Sequence, residues 1–317
     1  MLMSSDHRRN IWNVIKKKST TLSCTLNVIL IFLVIRYYQS SGPEYTNFPP
    51  EKISPSRTSS DWPRVLCMVL TSPENYERKA VHLAATWGSH CSSLVFISDK
   101  KKRTNRPEEL RIEELPAVAG RKHLWDKVKA GIVATYNKYQ DEFDYLLKAD
   151  DDTFIVMDNL RHLLSHQQVE EEFVLGHLQR DRGVSYPSGG SGYVISKPAL
   201  HRIVLEGLDP QGKYLCRLPH PVGREVSVYP NEDLQMGKCA SILGIKLVSS
   251  VLDGETTFFP FKIEQHLISG LRVAWWLNRT LECQDCVSSK LVSVHYVQPH
   301  MMYVLEYFTN QFTRHSS

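Results

Sequence analysis

Apolar positions fall along this chain in two regimes. Residues 22–35 read LSCTLNVILIFLVI, and their flanks extend the run to 20–38. A helix needs about 20 apolar residues to cross a bilayer and about 17 where the bilayer is thin, so the run predicts one short transmembrane anchor. Residues 39–62 are rich in Ser, Pro, Thr and Asn and lack apolar periodicity, which predicts a flexible stem. From residue 63 onward, short apolar runs alternate with helical patterns. RVLCMVLTS, 64–72, predicts a buried parallel strand, and SSLVFISD, 92–99, predicts a second. A helical stretch over about 76–89 lies between them, and a charged loop follows the second. Leu124, Trp125, Val128, Ile132, Val133 and Tyr136 recur at helical spacing and predict a helix over 122–139. FDYLLKAD, 143–150, then reads as a third strand. Strand, helix, strand, helix, strand is the order of an α/β domain with a parallel sheet, whose binding crevice lies at the carboxyl ends of the strands.

Charge sets the expected orientation. Arg8, Arg9, Lys16, Lys17 and Lys18 precede the apolar run and only scattered charges follow it. The positive-inside bias therefore puts residues 1–19 in the cytosol and 63–317 in the lumen, a type II topology. Arg36, Tyr37 and Tyr38 at the exit offer no small-residue cleavage site, so an uncleaved anchor is expected rather than a signal peptide. A net charge of only +4, with the other basic run confined to 100–103, argues against a nucleic-acid footprint. Of the seven cysteines, Cys24 lies in the anchor. Cys67, Cys91, Cys216, Cys239, Cys283 and Cys286 are left for an oxidising lumen, where disulfides are their expected fate. Spacing does not fix the pairing, although Cys67 with Cys91 and Cys216 with Cys239 are neighbours in the order of elements, and Cys283 with Cys286 forms a lone CxxC. Asn278-Arg279-Thr280 is a glycosylation sequon that fits the same compartment.

Four constellations carry chemistry. The first is Asp150-Asp151-Asp152, closing an apolar strand. Crowded carboxylates repel unless a cation neutralises them, and oxygen ligands suit Mn or Mg, which in turn bind diphosphate. In an extended backbone Asp150 and Asp152 point to one side and Asp151 to the other. The plainer alternative is a solvated acidic turn, or a helix capped by Asp152 and Thr153 and running through Arg161. The second is SGGSGYVIS, 188–196, where Gly189, Gly190 and Gly192 let backbone approach a ligand closely or simply make a turn. The third is NEDLQMG, 231–237, which places Glu232 and Asp233 at a helix start; a capped helix is its plainer reading. The fourth is LVSVHYV, 291–297, which puts His295 in an apolar strand as a metal ligand or a structural imidazole.

Taken in order, the stretches VLCMVLTSPEN, ATWGSHC, FDYLLKADDDTFIVMDNLRHLL, YPSGGSGYVISK, EDLQMGKC and SVHYV resemble the core 1 β1,3-galactosyltransferases of glycosyltransferase family 31, over about 65–297. The resemblance implies a GT-A (Rossmann-like) glycosyltransferase domain over 63–317. It also implies inverting transfer of galactose from UDP-galactose to the 3-hydroxyl of N-acetylgalactosamine on Ser or Thr of glycoproteins. By position it implies that Asp150, Asp152 and His295 hold Mn, and that Leu70, Lys127, Asp151 and Tyr296 lie around UDP or its sugar. Asp233 is then the general base, Glu232 its reserve, and Trp275, Trp276 and Gly190 face the acceptor. A Golgi membrane location and homodimers are familiar in the family. The chain departs from the family pattern at Cys283-Gln284-Asp285-Cys286, where adjacent cysteines are usual, in a shorter Trp-rich segment, and in a longer stretch at 213–229 with Pro219, His220 and Pro221. These departures flank the acceptor side. The competing expectations are a catalytically silent chaperone of this fold, a Fringe-like N-acetylglucosaminyltransferase with another acceptor, and a lumenal lectin.

Overall fold

Strand β1 (Val65–Leu70) is buried at every position, and its alternate residues feed two cores. Val65, Cys67 and Val69 face one hydrophobic layer, while Leu66, Met68 and Leu70 face the other, as the two-residue repeat of a central strand requires. A computed structural model describes the protein at residues 62–100, 106–115, 123–181, 183–208, 216, 231–252, 255–267 and 288–311, all within the compact unit Lys52–Ser317. The predicted tail and anchor, nearly all of the stem, Trp275, Trp276, Asn278, Cys283 and Cys286 lie outside the described residues. Among the described residues, no helix is long and apolar enough to cross a membrane.

The first half follows the predicted order with two differences. Helix α1 is only Val81–Ala85, flanked by tight and wide turns at Pro73–Asn75, Tyr76–Ala80 and Trp87–His90, rather than one helix over 76–89. Thr86 leaves the helical region at φ −109 and ψ −120, and its hydroxyl donates to the His82 carbonyl at 2.9 Å, which competes with the helical ladder. Strand β2 (Ser93–Asp99) is followed by β3 (Ile112–Leu115), a strand inside the stretch expected to be a charged loop. IEEL can be a strand because it is the sheet's edge, where charge is tolerated; only Ile112 is buried, and Tyr139 donates to Glu113 at 2.8 Å. Helix α2 (Leu124–Tyr139) buries Trp125, Lys127, Val128, Gly131 and Ile132, and β4 (Tyr145–Asp150) closes the parallel set.

Beyond β4 come β5 (Phe154–Ile155), α3 (Met157–Ser165), β6 (Phe173–Gly176), the hairpin of β7 (Leu178–Asp181) and β8 (Val184–Pro187), β9 (Tyr193–Ser196) and α4 (Lys197–Arg202). Then follow α5 (Glu232–Leu243), β10 (Lys246–Ser249), β11 (Val251–Leu252), β12 (Glu255–Thr256), β13 (Phe258–Phe259), α6 (Ile263–Leu267), β14 (Ser293–Val294) and α7 (Pro299–Glu306). The main sheet has the order β10-β6-β9-β4-β1-β2-β3. It is mixed rather than parallel throughout, because β9 runs antiparallel to both β4 and β6. That reversal decides the site: Tyr193 pairs with Lys148, so the glycines before β9 lie beside the carboxyl end of β4. A second sheet, β13-β14-β5, pairs Val294 with Phe154 in antiparallel register and brings the chain after β14 back to the acidic turn before β5.

Among the described residues, disulfides join Cys67 to Cys91 and Cys216 to Cys239. Helix α5 packs closely on β8, since a Cβ on Gly237 would meet the Ser185 carbonyl oxygen at 2.4 Å. It ends on Gly244 at φ 67, a left-handed cap that glycine adopts without strain.

Candidate active site

The acidic turn forms where β4 stops. Thr153 N–H donates to the Asp150 carbonyl at 3.1 Å, and the chain turns into β5 rather than into a helix. Asp152 and Thr153 therefore cap nothing: α3 starts later, at Met157, and Arg161 donates to the His90 carbonyl. Asp151 turns inward, 7% exposed, and accepts from Thr71 Oγ1 at 2.9 Å, Asn75 Nδ2 at 2.8 Å and Lys79 Nζ at 2.9 Å. Burial outweighs those partners and raises its carboxyl above the usual range. Asp150, Asp152 and His295 converge, each offering one ligand atom within 4.8 Å of the others. His295 lies one residue past the end of β14 rather than inside a strand.

These residues fit a divalent cation. Nδ1 of His295 lies 3.0 Å from the Pro260 carbonyl, which can fix the tautomer with Nε2 free as a ligand, and Nε2 lies 3.5 Å from Asp152 Oδ1. Burial opposes ionisation of Asp152, but the His295 contact and the Lys79 charge outweigh it and hold its carboxyl at about 2. The turn also has cations of its own. Lys79 reaches Asp152 Oδ2 at 3.2 Å as well as Asp151, and Lys148 reaches Asp150 Oδ1 at 2.8 Å. Carboxylate crowding alone thus does not demand a metal; the open convergence of Asp150, Asp152 and His295 is what suits one.

The glycine stretch closes over this group. A Cβ on Gly190 would sit 2.0 Å from His295 Cε1 and 2.3 Å from Nδ1, so the ring occupies space that only glycine leaves. Gly190→Ala is expected to push the imidazole out of line and weaken Mn2+ binding by about 10-fold or more, the scale of a misoriented ligand. Titration of Mn2+ into the variant checks this, and parental affinity would show that the ring does not ligate.

Glu232 and Asp233 open α5 on the far side of the same loop. Glu232 is 3% exposed, and both its oxygens are engaged: Oε1 accepts from Tyr193 O–H at 2.5 Å and Oε2 from Lys148 Nζ at 3.3 Å. Burial pushes its carboxyl up to about 7 against the opposing charge of Lys148. A reserve base so buried is shut away from the surface at which an acceptor would arrive. Asp233 is half-buried and accepts from Gly189 N–H at 3.2 Å and Leu234 N–H at 2.8 Å. The Asn231 side chain makes no cap hydrogen bond, and both carboxylates lie in the first turn of the helix.

Leu70 ends β1 in register with Asp150 and is buried. Lys127, also buried, donates to the Thr71 carbonyl and lies 3.3 Å from Asp99 Oδ1, so Thr71 links it to Asp151. Tyr296 is 41% exposed, stacks on His295 at 3.7 Å, and has φ 59, a strained value for a residue with a Cβ. Sequence reasoning missed Thr71, Asn75, Lys79, Lys148 and Tyr193. Lys148 had a signal, a charge inside an apolar strand two residues before Asp150; Lys79 had none.

Residues 61–253 match the family described as Fringe-like. The chain is 32% identical over 281 residues to glycoprotein-N-acetylgalactosamine 3-beta-galactosyltransferase 1 of Xenopus laevis, covering 84% of this chain and 71% of that protein. It is 30% identical over 174 residues to the beta-1,3-glucosyltransferase of Homo sapiens, covering 53% of this chain and 30% of that one. Among solved structures, a glycosyltransferase involved in the glycosylation of the major capsid of PBCV-1 matches 50% of this chain and 71% of its own, at 14% identity and a TM-score of 0.33. An active-site mutant of LgtC matches 73% of this chain and 86% of its own, at 10% identity and a TM-score of 0.41. Scores that low carry no argument about this site.

Proposed function

Because the chain belongs to the Fringe-like family of glycosyltransferases, in the group of the glycoprotein-N-acetylgalactosamine 3-beta-galactosyltransferases, we propose that it transfers galactose from UDP-galactose, with inversion, to the 3-hydroxyl of N-acetylgalactosamine on Ser or Thr. The observation that carries this reading is the meeting of Asp150, Asp152 and His295 within 4.8 Å, with Asp233 across the Gly189–Gly190 loop from them. The mixed α/β sheet is compatible with the GT-A domain that this reading entails. Inversion needs one displacement: the acceptor oxygen bonds to the anomeric carbon, the bond from that carbon to the diphosphate breaks, and the hydroxyl proton passes to a base. Asp233 is that base. Mn2+, held by Asp150, Asp152 and His295, would supply positive charge at the departing diphosphate.

The remaining residues bind and orient. Lys127 and Asp151 brace the ends of β1 and β4 through Thr71, and the exposed ring of Tyr296 offers a face to the base or sugar of the donor. Trp275 and Trp276, outside the described residues, would stack on the acceptor sugar. The apolar run at 20–38, with the basic residues before it, and the disulfides Cys67–Cys91 and Cys216–Cys239 support a type II protein whose folded domain faces an oxidising lumen such as the Golgi. The test is to incubate the purified full chain with Mn2+, a panel of UDP-sugars and acceptor glycopeptides. Galactosyl transfer to a GalNAc peptide, abolished by EDTA, is the expected result. No transfer from any donor would favour a silent folding helper, and transfer to a different acceptor would correct the specificity.

A further inference from the structure

Lys148 interrupts the apolar run of β4 and is fully buried. A buried ammonium is costly unless its geometry is good and its donors are satisfied. Its Nζ meets acceptors from three separate segments: Asp150 Oδ1 at 2.8 Å on its own strand, the Gly189 carbonyl at 3.1 Å, and Glu232 Oε2 at 3.3 Å on α5. The other Glu232 oxygen takes the Tyr193 hydroxyl, and Tyr193 faces Lys148 in the β4–β9 register. A Cβ on Gly189 would lie 2.5 Å from Glu232 Oε2 and 3.4 Å from Lys148 Nζ, so the ion pair closes beneath the loop only because that residue is glycine. The same Gly189 donates its N–H to Asp233. Contacts therefore run unbroken from Asp150 through Lys148 and Gly189 to Asp233.

We propose that Lys148, Glu232 and Tyr193 form a buried positioning unit that holds the carboxylates of Asp150 and Asp233 in one frame. The idea rests on the reading of those two residues given above and goes beyond it by giving Glu232 a role without proton transfer. Two reacting groups on different segments, one on a strand end and one on a helix start, keep their separation only if something rigid joins them. Misplacement by about 1 Å costs roughly 100-fold in rate.

The test uses the purified full chain and three variants: Lys148→Met, Glu232→Gln and Tyr193→Phe. Melting temperature, the electron paramagnetic resonance line of bound Mn2+ with no other ligand added, and kcat and KM for the donor are measured for each. Lys148→Met is expected to broaden the bound-Mn2+ line and to lower kcat by about 100-fold. Glu232→Gln and Tyr193→Phe are expected to lower kcat by about 10-fold with donor KM within about 2-fold, a pattern that a purely structural role would not produce. Folded variants with the parental line and kcat would overturn the proposal, and so would a Glu232→Gln loss as deep as that of Asp233→Asn. Should Lys148→Met fail to fold, the other two decide by the same criterion. A parent chain that neither binds Mn2+ nor transfers sugar sinks the proposed function and this inference together. An active parent with unaffected variants sinks only the inference.

Discussion

Asp152→Asn is expected to lower transfer by roughly 1000-fold or more while the protein keeps its fold. The carboxamide has the size of the carboxylate, so packing around the turn is preserved. What disappears is charge at an atom 3.5 Å from His295 Nε2, within the Asp150, Asp152 and His295 group. Lys79 keeps Asp151 as a partner after the change and is not left stranded. The loss therefore belongs to cation binding rather than to stability, and about 4 kcal/mol of transition-state stabilisation corresponds to the expected drop. Parallel measurement of Mn2+ binding, melting temperature and turnover separates the two. Normal transfer by a folded variant would refute the metal assignment outright.

Asp233→Asn should reduce kcat by about 1000-fold with donor KM close to that of the parent, because a missing base costs the chemical step and leaves donor binding alone. The amide can still accept one of the two N–H groups that Asp233 now takes, from Gly189 or from Leu234. An unchanged donor KM checks that the Gly189 loop has not moved. Retained transfer would reopen the search for the base, with Glu232 the weaker candidate because it is almost wholly buried whereas Asp233 is only half-buried.

The half of the fold that was legible in the sequence is the half whose elements are buried on both faces or amphipathic over many turns. β1, β2, β4 and α2 carry runs and repeats that burial itself imposes. β3 was missed because an edge strand needs little hydrophobicity, and IEEL reads as a charged linker. The direction of β9 left no mark at all: YVIS is as apolar in either sense, and only its two neighbours decide which way it runs. At the site, Asp151 does turn inward as the two-residue repeat predicts, but not by that repeat, because Asp151 and Asp152 lie in a turn after β4 rather than in extended backbone. The lysines that share the charge of the triplet were not readable. Lys79 reaches it from a wide turn that no periodicity announces, and the destination of Lys148 depends on a helix more than 80 positions away, as its contact with Glu232 shows.

The reversal of β9 has a consequence for how such a protein can vary. It makes the rim a seam between two banks of chain: the tails of forward strands at Leu70 and Asp150 on one, the lead-in to a backward strand and the start of α5 on the other. The ladder that aligns Leu70 with Asp150 lies wholly in the first bank, while α5 belongs to the second. One bank can drift while the other stays in step, and Lys148 is the stitch that must hold whenever it does.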